Sequence, residues 1–335
     1  MAKNAAKQKT HVAIDIGTSK TRIYIEKLGM VFDEATIMAM DYKTKKVVAV
    51  GDAAKKFVGK LSKNILIKYP LKRGVISDMS ILRLFLAHIL QKNKNDIKDS
   101  IVTLACPISV TSFERDSLIT TIKGLGVYYV DVQDDIKLAV LGAGFNIHKS
   151  DAYLCLDIGA GKSTVGIISF NETVISKWSK IAGNSIDLEI IKYLKAKKQM
   201  AVGEISAEAL KNAVGSLIKN KNPLKTAVYG YNMNSGLPTN TEINEDDISK
   251  IIVSAFNNLT ALITSALEEA PNEVAGDVIK NGLIITGGVA QIPGVKFYFE
   301  DYFEIPVTVA KGASNAVING AIAYKSDSFA YAGSI

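Results

Sequence analysis

Two short stretches carry residue types suited to gripping a polyphosphate. VAIDIGTSKTRIYI at 12–25 and LCLDIGAGKSTVGI at 154–167 share the pattern D-I-G-x-x-K-[ST] between β-type runs. Turns rich in Gly, Ser and Thr at the end of a buried strand present backbone N–H groups outward, and their partial positive charges converge on phosphate oxygens. Two such turns can clasp one polyphosphate. Asp15 and Asp157 end their strands at the same place, where both could hold the hydration shell of one Mg²⁺, an ion that keeps several waters and prefers carboxylates. A third turn, T-G-G at 286–288, can pack against a base and sugar.

GAGKST at 159–164 invites comparison with the G-x-x-x-x-G-K-[ST] phosphate loop, and fails it twice. That motif needs Gly where Leu156 stands, and a helix should follow where the β-rich VGIIS follows instead.

The two aspartates lie about one domain length apart, so the repeat reads as a duplication. In each copy an apolar strand enters, a glycine turn follows and a second β-rich run leaves, which predicts a hairpin. Residues 31–70, with IMAMDY and KVVAVG, read as a small insertion on the first domain. Ser77 or Asp78 can cap a helix with Ile81, Leu82, Phe85, Leu86 and Ile89 at helical spacing. SIVTLACPI reads as a buried strand, and FERDSLITTIKGLG and DDIKLAVLGAG as helices closed by glycines. In the second half, helices are expected near 184–198 and from Ser206 to Lys219, followed by a polar, turn-rich stretch, YGYNMNSGLPTNTEIN. Asn244 can cap a long amphipathic helix from Glu245 to about Glu269. GLIITGG and IPVTVA read as strands, and SNAVINGAIAY as a helix. The expected organisation is α/β: a basic disordered tail at 1–9, domain I at 10–150, domain II at 151–310 with a subdomain at about 182–250, and a C-terminal helix and tail at 311–335 packing back on domain I.

With 48% hydrophobic and 22% charged residues among 335, and a mean hydropathy of +0.16, the chain is no disordered segment. No apolar run approaches the roughly 20 residues of a membrane span, and MAKNAAKQK lacks the apolar stretch of a signal peptide, so a cytoplasmic protein is expected. Cys106 and Cys155 sit in apolar runs and imply no disulfide or metal framework. The net charge of +7 comes almost wholly from lysine, not the arginine that suits base recognition, so no nucleic-acid partner is expected. Lys3, Lys7 and Lys9 make a basic tail without the bulky apolar residues of an amphipathic anchor.

Together the two DIG hairpins, QDDIKLAVLGAG between them, GVISDMSI, PISVTSFERDSL, IAGNSIDLEII, EALKNAVGS and LIITGGVAQIPGV resemble, in order and spacing over nearly the full length, the actin, heat-shock-70 and sugar-kinase superfamily, and within it the bacterial actins of the MreB family. The resemblance implies an actin-like ATPase fold of two duplicated domains, with subdomains IA, IB, IIA and IIB, ATP and Mg²⁺ in the cleft, and head-to-tail filaments that tend to pair antiparallel. It assigns Asp15, Gly17, Thr18, Ser19 and Lys20 to the first phosphate turn, and Asp157, Gly159, Ala160, Gly161 and Lys162 to the second. It puts Gly183, Asn184, Glu208, Lys211, Gly287 and Gly288 around the adenosine. Helical spacing sets Glu208 and Lys211 on one face, either toward one ligand or as a surface pair.

Two departures bear on catalysis. Asp135, in Gln133-Asp134-Asp135-Ile136, stands where the family has the glutamate that orients the attacking water; it has one methylene less reach. Such positioning is typically worth about 10²- to 10⁴-fold. Lys162 stands where the family has a threonine; its ammonium can pair with a γ-phosphate or with Asp135. The resemblance therefore implies an ATP-binding cytoskeletal protein of cell shape with weak or lost hydrolysis, or alternatively an ordinary ATPase in which Asp135 works through an additional water and Lys162 stabilises transition-state charge. A small-molecule kinase is disfavoured by length and motif order. The loop KNKNDIKDS, polar apart from Ile97, lacks the apolar dipeptide that family members insert into membranes, so only a weak, salt-sensitive attraction to anionic lipid at the inner membrane face is expected. Related actin-like filament proteins are further expected partners.

Overall fold

The computed structural model describes residues 9–60 and 64–324. The chain divides into two compact units, the first comprising residues up to Ile147 together with those from Asn315 on, the second running from His148 to Ser314. Lys3, Lys7 and residues 325–335 lie outside the described residues. Lys9 does not: its ammonium pairs with Asp99 and sits 4.2 Å from the Tyr128 ring centroid.

In the first unit, β1 (His11–Ile16), β2 (Lys20–Ile25) and β3 (Gly29–Ala35) run antiparallel as a meander. The insertion expected over 31–70 is therefore shorter at its start, because residues 31–35 complete β3 of the main sheet. It holds β4 (Met38–Asp41), β5 (Val47–Val50), α1 (Gly51–Lys55) and β6 (Ile65–Lys68), a three-stranded sheet over Ile37, Ala39 and Ala54. The ribbon β7 (Leu71–Lys72) and β8 (Val75–Ile76) leads to α2 (Met79–Gln91). Of the two candidate caps for α2, Asp78 is the one used, its carboxylate accepting from the N–H groups of Ser80 and Ile81. The short α3 (Lys94–Ile97) buries Ile97 completely, so the polar loop offers no apolar tip.

β9 (Ile101–Cys106) runs parallel to β1 and is buried throughout, as a central parallel strand covered on both faces must be. α4 (Ser112–Lys123) opens on a reciprocal capping box between Thr111 and Glu114 and closes at Gly124. β10 (Tyr129–Asp134) pairs parallel with β9 and delivers the chain into α5 (Asp135–Gly142). The sheet order is β10-β9-β1-β2-β3, with Val12, Ile14, Ile23, Phe85, Leu86 and Leu104 in the core over α2 and α4.

The second unit repeats the plan. β11 (Tyr153–Ile158), β12 (Ser163–Ser169) and β13 (Glu172–Ser179) form the meander. α6 (Gly183–Lys198), β14 (Met200–Ala201) and α7 (Glu204–Val214) follow; α7 stops five residues short of the expected Lys219, at Gly215. The stretch read as turn-rich is a β-hairpin, β15 (Lys225–Asn232) with β16 (Pro238–Asn244), because Val228 and Ile243 face inward while Tyr229 and Tyr231 stay exposed. Asn244 caps α8 (Glu245–Glu268) through the N–H of Asp246. By length and hydropathy alone α8 could cross a membrane, contrary to the expectation that no stretch is long and apolar enough; here its stripe of Ile248, Ile252, Phe256, Leu259 and Ile263 is buried in the unit's core. After α9 (Ala275–Asn281) come β17 (Leu283–Thr286), α10 (Val295–Phe303) and β18 (Val307–Val309). The order β18-β17-β11-β12-β13 is the first unit's order over again, strand for strand.

α11 (Ala316–Ala323), the counterpart of α5 by its place after β18, belongs to the first unit and crosses α5 backbone to backbone. A Cβ on Gly142 would lie 1.8 Å from the Ala316 carbonyl oxygen, and one on Gly320 1.8 Å from that of Leu138, so both positions need the smallest residue.

Candidate nucleotide site

The two DIG turns are built alike. In the first, the Gly17 N–H donates to the Lys20 carbonyl at 2.9 Å; in the second, Gly159 donates to Lys162 at 3.0 Å. A Cβ on Gly17 or Gly159 would come within 2.8 or 3.0 Å of that same carbonyl oxygen. The register repeats too, with Asp15 opposite Arg22 and Asp157 opposite Thr164, so each carboxylate sits at the carboxyl end of its strand, beside its turn. Ligands of open α/β sheets bind at such strand ends.

Several carbonyl groups of both turns accept hydrogen bonds from the protein. Thr36 donates from its hydroxyl to Gly17 O at 2.7 Å and from its N–H to Ser19 O at 3.0 Å. Thr18 Oγ1 accepts from Gly74 N at 3.1 Å, tying the turn to the β7–β8 ribbon. In the second turn, Gly159 O and Ala160 O accept from the N–H groups of Gly183 and Asn184 at 3.1 and 2.7 Å. Among the described residues none accepts from the N–H groups of Thr18, Ser19, Ala160 or Gly161. Backbone N–H groups left without a protein acceptor are of the kind that can bind an anion.

Gly183 and Asn184, expected around the adenosine, thus meet the second glycine turn directly and brace it from the first turn of α6. Lys211 is buried and reaches Asp187 of α6 at 2.8 Å and Gly183 O at 3.3 Å, while Glu208, one turn earlier on α7, is half-buried. Burial raises the Asp187 carboxyl above its ordinary range; the Lys211 ammonium opposes that rise, and Glu208 and Glu204 add to it. Sequence reasoning missed Asp187, whose only signal was its place one turn into the helix beginning at Gly183.

The lysines of the two turns have different surroundings. Lys20 opens β2 and pairs with Asp33 of β3 at 3.1 Å, half exposed. Arg22, largely buried, bridges Asp15 at 3.4 Å and Asp33 at 3.2 Å. Lys162 is buried, its ammonium donating to Thr164 Oγ1 at 3.0 Å.

Asp135 is buried at the start of α5, next to the end of β10. Gln133 and Asp15 share the register of Ala105 on the intervening β9, which puts them two strands, roughly 10 Å, apart at the same end of the sheet. Neighbouring Asp134 pairs with Arg115 at 3.4 Å. Burial, with Asp135 and Asp134 nearby, pushes the Cys106 thiol up to about 11 although Arg115 pulls the other way, so this cysteine stays protonated and unreactive at neutral pH.

The T-G-G turn closes the second unit's strand end. Gly287 has φ +87°, and a Cβ there would lie 2.3 Å from Ile158 O, so only glycine lets the turn press against the end of β11. Among the described residues nothing lies within 4 Å of the position of a Cβ on Gly288, so the turn is open there. Thr286, fully buried, donates to Asp157 Oδ1 at 2.8 Å. No group of three or more His, Cys, Asp or Glu side chains able to ligate a metal occurs among the described residues. Magnesium keeps several of its waters and is commonly held by one or two carboxylates together with phosphate oxygens, without an all-protein cage.

The MreB/Mbl protein family model matches residues 9–331. The cell shape-determining protein Mbl of Bacillus subtilis is 30% identical over 313 residues, spanning 92% of this chain and 93% of that one. The cell shape-determining protein MreB of Escherichia coli is 29% identical over 316 residues, 92% and 91% of the two chains. Among solved structures, MreB5 of Spiroplasma citri bound to AMPPNP is 36% identical with a TM-score of 0.90, covering 95% of this chain and 96% of that one. The ADP-bound crystal structure of MreB5 gives 0.91 at the same identity, covering 96% and 98%. With its twinned sheets and strand-end turns, the chain has the actin-like ATPase fold and belongs to the MreB/Mbl family of bacterial actins.

Proposed function

We propose that this protein binds ATP with Mg²⁺ and assembles into cytoskeletal filaments that serve cell shape or related cytoskeletal mechanics, with hydrolysis weak or lost. The observation that carries the reading is the repetition, in the same register, of a glycine turn closed at 2.9 and 3.0 Å with an aspartate beside it. A relative 36% identical binds AMPPNP and ADP, which supports an adenine nucleotide as the ligand.

In this reading the N–H groups of Thr18, Ser19, Ala160 and Gly161 donate to the phosphate oxygens of one nucleotide. Gly288 receives the nucleoside, and Asp15 and Asp157 hold the waters of the cation. Magnesium, when bound, neutralises the charge of the phosphate tail. Lys162, held by Thr164, supplies a fixed positive charge where the family has a hydroxyl, favouring the triphosphate state. Asp135 supplies a carboxylate too short for direct contact with the attacking water. Nucleotide binding then favours the polymer by linkage, since whatever binds the assembling conformation stabilises it. Filaments pairing antiparallel, a cytoplasmic location and a salt-sensitive contact of the lysine-rich surface with anionic lipid complete the proposal.

Pelleting with ATP, ADP and a non-hydrolysable analogue, read together with phosphate release, tests it. The expected result is equal pelleting with ATP and the analogue, and release that rises in the Asp135→Glu, Lys162→Thr double variant. A wild type that already turns over as fast as the double variant would show an ordinary ATPase.

A further inference from the structure

The two aspartates beside the phosphate turns are held by different means, and the difference follows from the duplication. On the strand next to β1, the register partner of Asp15 is Ala105, which has nothing to donate; the Arg22 guanidinium approaches from the hairpin side instead, at 3.4 Å. On the strand next to β11, the register partner of Asp157 is Thr286, whose hydroxyl donates to Oδ1 at 2.8 Å. Thr286 is wholly buried, so its hydroxyl cannot itself meet a ligand. Its second neighbour is the Cys155 sulfur at 3.9 Å, a weak partner, which leaves the carboxylate as the strong acceptor in reach. The residue after it, Gly287, is wedged against the backbone of Ile158, so the hydroxyl is carried by a segment with little room to shift.

We propose that Thr286 is the positioning residue of the cation site: by fixing Oδ1 it sets the rotamer of Asp157 and aims the other carboxylate oxygen at the water shell of the divalent ion. This rests on the nucleotide reading above and adds to it that a hydroxyl of the T-G-G strand helps to orient Asp157. The T-G-G motif therefore serves twice, with its glycines toward the nucleoside and its threonine toward the metal. A carboxylate with a fixed rotamer has less freedom to lose when the hydrated ion arrives, and that is the source of the expected effect.

The test is a titration of fluorescent ADP into wild type, Thr286→Val and Thr286→Ser, each with excess Mg²⁺ and with EDTA, alongside a thermal melt. The quantity read is the gain in affinity that Mg²⁺ confers. Valine keeps the shape and removes the donor, and is expected to lower that gain about tenfold, the scale of one hydrogen bond to a charged group; serine is expected to keep it. If the valine variant does not fold, Thr286→Ala takes its place with the same expectation. A valine variant with the wild-type gain, or one weakened equally with Mg²⁺ and with EDTA, overturns the proposal, the latter pointing to packing alone. Wild type that binds no ADP in either condition would instead overturn the nucleotide reading, and wild type that binds ADP without any gain from Mg²⁺ would overturn the role of Thr286 while leaving that reading intact.

Discussion

Replacing Lys211 with methionine tests how the second glycine turn is supported. Lys211 and Asp187 are both more than nine-tenths buried and 2.8 Å apart, so the substitution leaves a carboxylate in the interior without its cation. Breaking a buried pair from one side typically costs roughly 3–5 kcal/mol. For a unit the size of the second, that corresponds to a fall in melting temperature on the order of 10 °C. The loss should depend on pH with a definite sign. Burial already raises the Asp187 carboxyl above 3.8. An acid raised on folding adds stability below its unfolded value and loses that contribution as pH rises through the folded value. Without the Lys211 ammonium nothing opposes burial, Glu208 and Glu204, and the carboxyl rises further. Lys211→Met should therefore melt close to wild type near pH 4 and fall progressively behind toward neutral pH, and Asp187→Asn in the same chain should restore much of the difference. Scanning calorimetry from pH 4 to 8 reads this directly. Because Lys211 also holds Gly183 O, and the N–H groups of Gly183 and Asn184 hold the turn, nucleotide affinity should weaken in parallel. A deficit that is the same at every pH, or one that Asp187→Asn leaves untouched, would refute the reasoning.

Three other outcomes follow from the geometry. Gly287→Ala forces a Cβ to 2.3 Å from Ile158 O at φ +87°, and should yield insoluble protein or a melting point many degrees lower. Gly320→Ala should separate α11 from α5, because its methyl would stand 1.8 Å from Leu138 O; circular dichroism melting should show a loss of more than about 2 kcal/mol. Glu114→Ala removes half of the Thr111 capping box on a solvent-facing turn, and chemical denaturation should report no more than about 1 kcal/mol.

Much of this fold could be read from residue order because its signals are local. The repeated D-I-G hairpins, the caps at Asp78 and Asn244 and the stripe of α8 each depend on a few neighbouring residues whose spacing matches one element. What escaped depends on partners distant in sequence. The β15–β16 hairpin has too few inward apolar residues to stand out from a polar loop, and only the helices behind it make Val228 and Ile243 core. Residues 31–35 read as part of an insertion because nothing local shows that β3 pairs with β2. Residue order marks Lys20 and Lys211 as cations worth a partner, but not Asp33 and Asp187, the carboxylates that pair with them. Thr286 showed itself only as the first letter of a glycine motif, since its bond to Asp157 spans 129 residues.

The central claim is that both glycine turns serve one nucleotide. Isothermal titration of ATP with Mg²⁺ into wild type, Asp15→Asn and Asp157→Asn measures it most directly. The account predicts one site per chain in wild type, and weakening of that same single site by either substitution. Two sites per chain, each abolished by its own substitution while the other persists unchanged, would contradict it.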